Sequence, residues 1–223
     1  MATMPLPSPT GQPDSSRDWF VTAPGRALLD SELASVHTAL LERPGQYWLW
    51  LAPDAGTLAT ALPSHGLRLQ ARADDGWHGA VRCALPLPLA NESVATVVVQ
   101  HVVAGGRDGA TLLRECARIL VPGGRLWLFA LNPLSPYRWR WSGNGVGASE
   151  PMPWRRRLRA AGLQPEPVSR GLGPRWRIRA EADLQPGPGL RAAWLLRAEK
   201  REIPLTPLRT RAPLRIGGGI PAA

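Results

Sequence analysis

The sequence predicts an α/β domain with a mostly parallel sheet, helices on both faces and an antiparallel edge. Three observations carry that expectation. Val94–Gln100 is almost continuously apolar and β-branched, the pattern of a strand covered on both faces. A helical repeat follows, capped by Asp108, with Leu112, Cys116 and Ile119 on one face and Leu113 and Leu120 beside them. Arg125–Leu131 is then a second buried run, and strand, helix, strand at this spacing is a crossover between parallel neighbours. Pro122-Gly123-Gly124 ends the helix, with a glycine free to turn left-handed.

The remaining elements follow in chain order. Asp30 offers an N-cap to a helix with Leu33, Val36 and Leu40 on one face, closed by Pro44-Gly45. Tyr47–Leu51 has strand length, Thr57–Leu62 reads as a brief helix stopped by Pro63, and Leu67–Ala71 and Arg82–Ala84 read as strands. Trp154–Ala161 is a short basic helix ended by Gly162. Arg175–Ala180 and Ala192–Ala198 read as two strands that would pair antiparallel at the sheet edge. Residues 1–24 and 203–223, rich in Pro and small or basic residues, are expected to be tails around a domain of residues 25–202.

Length and composition set bounds. A chain of 223 residues with 44% hydrophobic residues can build one sizeable core. Its longest apolar runs fall far short of the roughly 20 residues that a membrane span needs. The N-terminus has neither a basic start nor an apolar block. Cys83 and Cys116 cannot form a disulfide framework, so a cytoplasmic location is expected. The net charge of +10 is unevenly placed. Residues 1–124 carry 9 Arg against 11 acids, whereas residues 125–223 carry 17 Arg and Lys200 against 6 acids. A basic half of that kind attracts polyanions.

The segment Leu87-Pro88-Leu89-Ala90-Asn91-Glu92-Ser93-Val94, then Val97–Val103, resembles the type 11 methyltransferase family. So does its continuation, Leu112-Leu113-Arg114-Glu115-Cys116-Ala117-Arg118-Ile119-Leu120-Val121-Pro122-Gly123-Gly124-Arg125-Leu126. Asn132-Pro133 and Lys200–Leu208 resemble a bacterial branch of it. The resemblance is strongest over residues 87–133 and weaker over most of residues 25–210. It implies a Rossmann-like class I methyltransferase fold and S-adenosylmethionine as cofactor, with a methyl acceptor that the sequence does not identify. Such sheets bind ligands beyond the carboxyl ends of their strands. Carried onto this chain, the cofactor-binding candidates are Ala52, Asp54 and Gly56 after the first strand, Asp74 after the second, Arg82 near the third and Gln100 ending the fourth.

The chain departs from the family pattern at several of these places. The loop Ala52-Pro53-Asp54-Ala55-Gly56 has one glycine where the family carries two or three, and Pro53 removes an amide donor. Arg82 stands where an acid is frequent, as do Ala95 and Ala104. The chain therefore resembles a degenerate member, and the alternative is a non-catalytic protein on the same sheet that binds RNA, anionic lipid or a protein partner through its basic C-terminal half.

His101, ending the fourth strand, is the first candidate for catalysis, as a base or substrate contact, with a structural cap as the other role open to it. Asn132, ending the fifth strand, is the second, with a turn before Pro133 as its other role. The histidines and cysteines are too scattered for a zinc site. Gly143-Asn144-Gly145-Val146-Gly147 has no strand leading in or helix leading out, so it reads as a loop. Arg138-Trp139-Arg140-Trp141 and Trp154-Arg155-Arg156-Arg157 interleave indoles with guanidinium groups, a pattern suited to RNA or to an anionic lipid surface as partner.

Overall fold

The computed structural model of the chain describes residues 19–53, 62–71, 76–102 and 107–201. Asp54, Gly56, Asp74, residues 1–18 and 202–223, and all of the Thr57–Leu62 helix but Leu62 lie outside them. Along the chain run a 3₁₀ turn (Trp19–Val21), α1 (Ala23–Leu41), β1 (Trp48–Ala52), β2 (Gly66–Ala71), β3 (Trp77–Gly79), β4 (Val94–Gln100), α2 (Arg107–Ile119) and β5 (Leu120–Leu131). A 3₁₀ helix (Pro136–Arg140), α3 (Pro151–Ala160), β6 (Leu163–Pro165), β7 (Arg170–Leu172), β8 (Gln185–Pro186) and β9 (Ala193–Lys200) follow.

Among the described residues the strands form one sheet in the order β3-β2-β1-β4-β5-β9-β7-β8, with β6 also pairing β9. The neighbours β2–β1, β1–β4 and β4–β5 are parallel, as the crossover predicted. β9 runs antiparallel to β5 in register Leu128↔Leu196, and β7 and β8 continue the antiparallel side outward to the edge. Every residue of β1 and β4 is buried, because helices cover both faces. On one face Leu49, Leu51, Val97, Val99 and Leu128 pack with Leu113 and Cys116 of α2 and Trp154 and Leu158 of α3. On the other, Trp48, Trp50, Val98, Trp127 and Phe129 pack with Leu28, Val36 and Leu40 of α1. Burying each such Leu or Val side chain contributes roughly 1.5–3 kcal/mol.

Several elements differ from the expectation, each for a local reason. Helix α1 starts seven residues before Asp30 (at Ala23), with Thr22 as N-cap and Pro24 in the first turn, so Asp30 is an interior residue. Trp19 and Phe20, expected in the tail, are 2% and 3% exposed and belong to the core. Asp108 is the second residue of α2 rather than its cap. The Pro-Gly-Gly turn is absorbed into β5 as an irregularity, where the pairing Val94↔Leu120 shifts to Thr96↔Arg125 and Gly123 takes a φ of +72°. The third strand is Trp77–Gly79; of Arg82–Ala84, Cys83 alone makes a bridge, to Trp77.

Arg175–Ala180 is not a strand. Its alternation of arginine with Trp176 and Ile178 imitates a half-buried strand, but all six residues are exposed. Gly173, with a φ of +85°, and Pro174 turn the chain away from the sheet instead. The partner of β9 in this region is the three-residue β7, pairing Leu172↔Ala193.

Candidate functional site

The parallel strands β2, β1, β4 and β5 end together at one rim of the sheet, the place where open α/β sheets bind ligands. The last residue of β1, Ala52, is 1% exposed and pairs with Gln70 of β2. The last residue of β4, Gln100, is followed by His101, whose φ of +52° bends the chain out of the strand.

These two residues and α1 build a buried polar network. Glu32 lies on the sheet-facing side of α1 and is 0% exposed. Its Oε2 accepts a hydrogen bond from Gln100 Nε2 at 2.7 Å. Both carboxylate oxygens face His101 Nε2, at 2.8 and 2.9 Å. Gln100 Oε1 in turn accepts from the Trp50 indole N–H at 3.0 Å. The guanidinium of Arg68 lies 5.0 Å above the Trp50 ring. Phe20 stacks on the His101 ring at 5.3 Å with 24° between planes. A carboxylate taken out of water costs several kcal/mol unless donors replace its hydration, and here the imidazole and the amide do so.

His101 thus has two different nitrogens. Nε2 is committed to Glu32, while Nδ1 is buried with no hydrogen-bond partner among the described residues. A hydrogen on Nε2, facing the carboxylate, leaves a lone pair on Nδ1. The imidazole is therefore oriented at one end and without a partner at the other.

The other candidates separate from this cluster. The Asn132 amide donates to the carbonyls of Gly189 and Arg191, both at 2.9 Å, and its Oδ1 accepts from the Leu134 N–H at 3.1 Å. Its side chain is consumed by the turn it builds. Arg82 is exposed in the turn before Cys83. Asp54, Gly56 and Asp74 lie outside the described residues. Among the described residues, no group of three or more His, Cys, Asp or Glu side chains could hold a metal ion. No helix among them is long and apolar enough to cross a membrane.

Of the indoles interleaved with arginine, Trp154 is 0% exposed and Trp141 is 4% exposed, so both serve the core rather than a surface. Trp139 is 73% exposed. On α3, Arg157 lies 4.6 Å over the Trp154 ring. Arg155 donates to the Glu166 carbonyl, and burial together with nearby Arg159 lowers its affinity for its proton.

Glu32, Trp50 and Phe20 were not among the sequence candidates. One signal was present: Leu28, Glu32, Val36 and Leu40 fall four residues apart, so a carboxylate interrupts an otherwise apolar stripe.

A methyltransferase domain family model matches residues 44–128 of this chain, which span β1 to most of β5. A structure of an S-adenosylmethionine-dependent methyltransferase from Thermotoga maritima is 16% identical, with a TM-score of 0.54 over 84% of this chain and 99% of that one. A chain in the Haloferax volcanii complex between the Trm112 methyltransferase activator and a methyltransferase is also 16% identical, with a TM-score of 0.50 over 84% of this chain and 98% of its own. No curated protein matches the sequence. The chain is thus a class I methyltransferase-fold protein. More particularly, its residues 44–128 are similar to a methyltransferase domain.

Proposed function

We propose that this chain binds S-adenosylmethionine at the rim formed by β1, β2 and β4 and transfers its methyl group to a small acceptor bearing an N–H or O–H. The observation that carries the reading is the buried His101, fixed by Glu32 through Nε2 and left with an unpartnered Nδ1 at the end of β4. An orphaned buried nitrogen costs about 1–3 kcal/mol; several such atoms occur among the described residues, and His101 Nδ1 is the one that stands at the end of β4, beside the rim where open α/β sheets bind ligands. Main chain around Ala52 and Asp54–Gly56, the Asp74 carboxylate and main chain at Gln100 would hold the cofactor. When bound, S-adenosylmethionine supplies an electrophilic methyl group on a sulfonium.

The chain's own part is proton management. His101 Nδ1 takes the proton that the acceptor loses, and the imidazolium formed is stabilised by the Glu32 carboxylate against Nε2. Glu32 acts as a positioning residue, since it faces His101 rather than the rim. Phe20 holds the ring plane.

Calorimetric titration with S-adenosylmethionine tests the reading. A Kd below about 100 μM supports it. No heat at millimolar ligand would overturn it and favour the second reading, a non-catalytic protein that keeps the sheet. That alternative draws on a specific observation: the Gln100 amide is already engaged by Trp50 and Glu32 and offers no side-chain contact to a cofactor.

A further inference from the structure

Three loops meet at the carboxyl end of β5, joined by the buried guanidinium of Arg191 on one side and by main-chain carbonyls of residues 189–191 on the other. Arg191 is 5% exposed. Its Nη1 donates to the Gly173 carbonyl at 3.1 Å and pairs with Glu181 at 2.6 Å. Asp183 lies 4.0 Å from its Nη2. Its own carbonyl, with that of Gly189, receives the Asn132 amide, and Ser135 Oγ donates to the Leu190 carbonyl at 2.9 Å. The segments 132–141, 173–183 and 187–191 are thereby fixed side by side, on the same rim as His101.

This rigid edge is basic. Arg138 and Arg140 project from the 3₁₀ helix, and Arg175, Arg177 and Arg179 from the middle loop, all of them exposed. None of these five has an acidic partner among the described residues, whereas the loop's own acids, Glu181 and Asp183, both face Arg191. The edge is also apolar where a soluble surface would be polar. Trp139 is 73% exposed, Trp176 and Leu134 are each 64% exposed, and Leu190 is 53% exposed.

We infer that this edge docks the protein on an anionic lipid surface, with the tryptophans and leucines entering the headgroup layer and the arginines on phosphates. The composition selects lipid over nucleic acid. Indoles and guanidinium groups would serve either, but exposed Leu134 and Leu190 gain nothing from a phosphate backbone, while an interface rewards aliphatic burial. The fixed framework around Arg191 means the apolar tips need not be ordered on binding. The consequence is that the β4 rim faces the membrane surface, from which an acceptor can arrive. The docking does not depend on methyl transfer, so either proposal can fail alone.

The test is sedimentation of the full chain with phosphatidylserine–phosphatidylcholine vesicles and with phosphatidylcholine vesicles. Binding is expected to the first and to be weaker by at least about tenfold to the second, with loss at high salt. Arg175→Gln/Arg177→Gln/Arg179→Gln should weaken anionic-vesicle binding by at least about tenfold. Trp139→Ser/Trp176→Ser should weaken it even at low salt. Circular dichroism of both variants checks that they are folded; exposed positions make that the expected result. Equal binding to the two vesicle types, no effect of either variant, or tighter binding to single-stranded RNA in the same buffer would each overturn the inference.

Discussion

Glu32 and His101 are 69 residues apart in sequence, yet the Glu32 carboxylate lies 2.8 Å from His101 Nε2. The pair joins α1 to the end of β4, and with Gln100 and Trp50 it forms the polar centre of an otherwise apolar interface. Its consequences for stability can be measured without knowing the acceptor.

Truncating the acid should cost more than losing its charge. Glu32→Ala leaves both the Gln100 amide and the His101 ring without their acceptor and is expected to destabilise by about 2–4 kcal/mol, with Glu32→Gln milder. His101→Asn should be tolerated better than His101→Leu, because Asn accepts the left-handed φ of +52° found there. Urea unfolding of the four variants measures this. A change below about 0.5 kcal/mol for Glu32→Ala would show that the network contributes nothing to stability.

A helical glycine near the site should behave against its usual sign. Gly→Ala in a helix ordinarily stabilises by about 1 kcal/mol. At Gly25, however, a β-carbon would stand 2.3 Å from the Trp19 carbonyl and 2.6 Å from Phe20 Cα. Gly25→Ala must push the Trp19–Val21 turn away and take Phe20 off the His101 ring, at a cost of about 1–3 kcal/mol. A stabilised Gly25→Ala in thermal unfolding would contradict this packing.

Asn132→Ala should act on folding. It removes two hydrogen bonds from Nδ2, both at 2.9 Å, that tie the end of β5 to the loop before β9, and a third, from the Leu134 N–H, within the turn after β5. A loss of about 1–3 kcal/mol is expected in urea unfolding. An unchanged midpoint would reopen Asn132 as a ligand contact.

The Glu115–Arg118 pair gives a pH signature. Arg118 also reaches the carbonyls of Leu87 and Leu89, so the pair pins the segment before β4 to α2. Arg118's hydrogen bond holds the Glu115 carboxyl below its ordinary value, against a smaller opposing effect of burial. A lowered folded-state value means the stabilisation is complete above the unfolded carboxyl range, about 4.3, and is lost as pH falls through the folded value. The gap between the parent protein and Glu115→Gln should therefore be present at neutral pH and close in acid. A gap independent of pH would remove the ion pair as its cause.

The thiols should differ in reactivity. Burial pushes the Cys116 thiol up to about 12, and raises Cys83 as well. Cys116 is 0% exposed between α2 and the sheet. A disulfide reagent at neutral pH is expected to spare Cys116 until the protein is unfolded. Prompt labelling of Cys116 in the native protein would mean that α2 opens readily.

The β4–α2–β5 unit was legible because local pattern and global burial agree there. Val94–Gln100 is almost continuously apolar and is buried throughout. The Arg175–Ala180 misreading shows the converse: alternation carries a strand signal even when neither face meets a partner. Pro24-Gly25 concealed the start of α1, since the same pair that opens a helix after Thr22 also punctuates loops. At the site, His101 could be located from its place after β4, but not its orientation.

By itself, the sequence determined the parallel crossover, the end of it at which a site would lie, and the resemblance to methyltransferases. The crossover and its site end depend on near-neighbour periodicity and on runs that only a doubly covered strand can tolerate, and the resemblance on the particular residues of 87–133. Tertiary structure decided which polar groups meet: Glu32 with His101, Asn132 with the loop before β9, and Arg191 with Gly173, Glu181 and Asp183. Such pairings require α1 and the loops to be laid across the sheet at a particular angle. Side-chain spacing along one element says which face is buried, and not what lies opposite it.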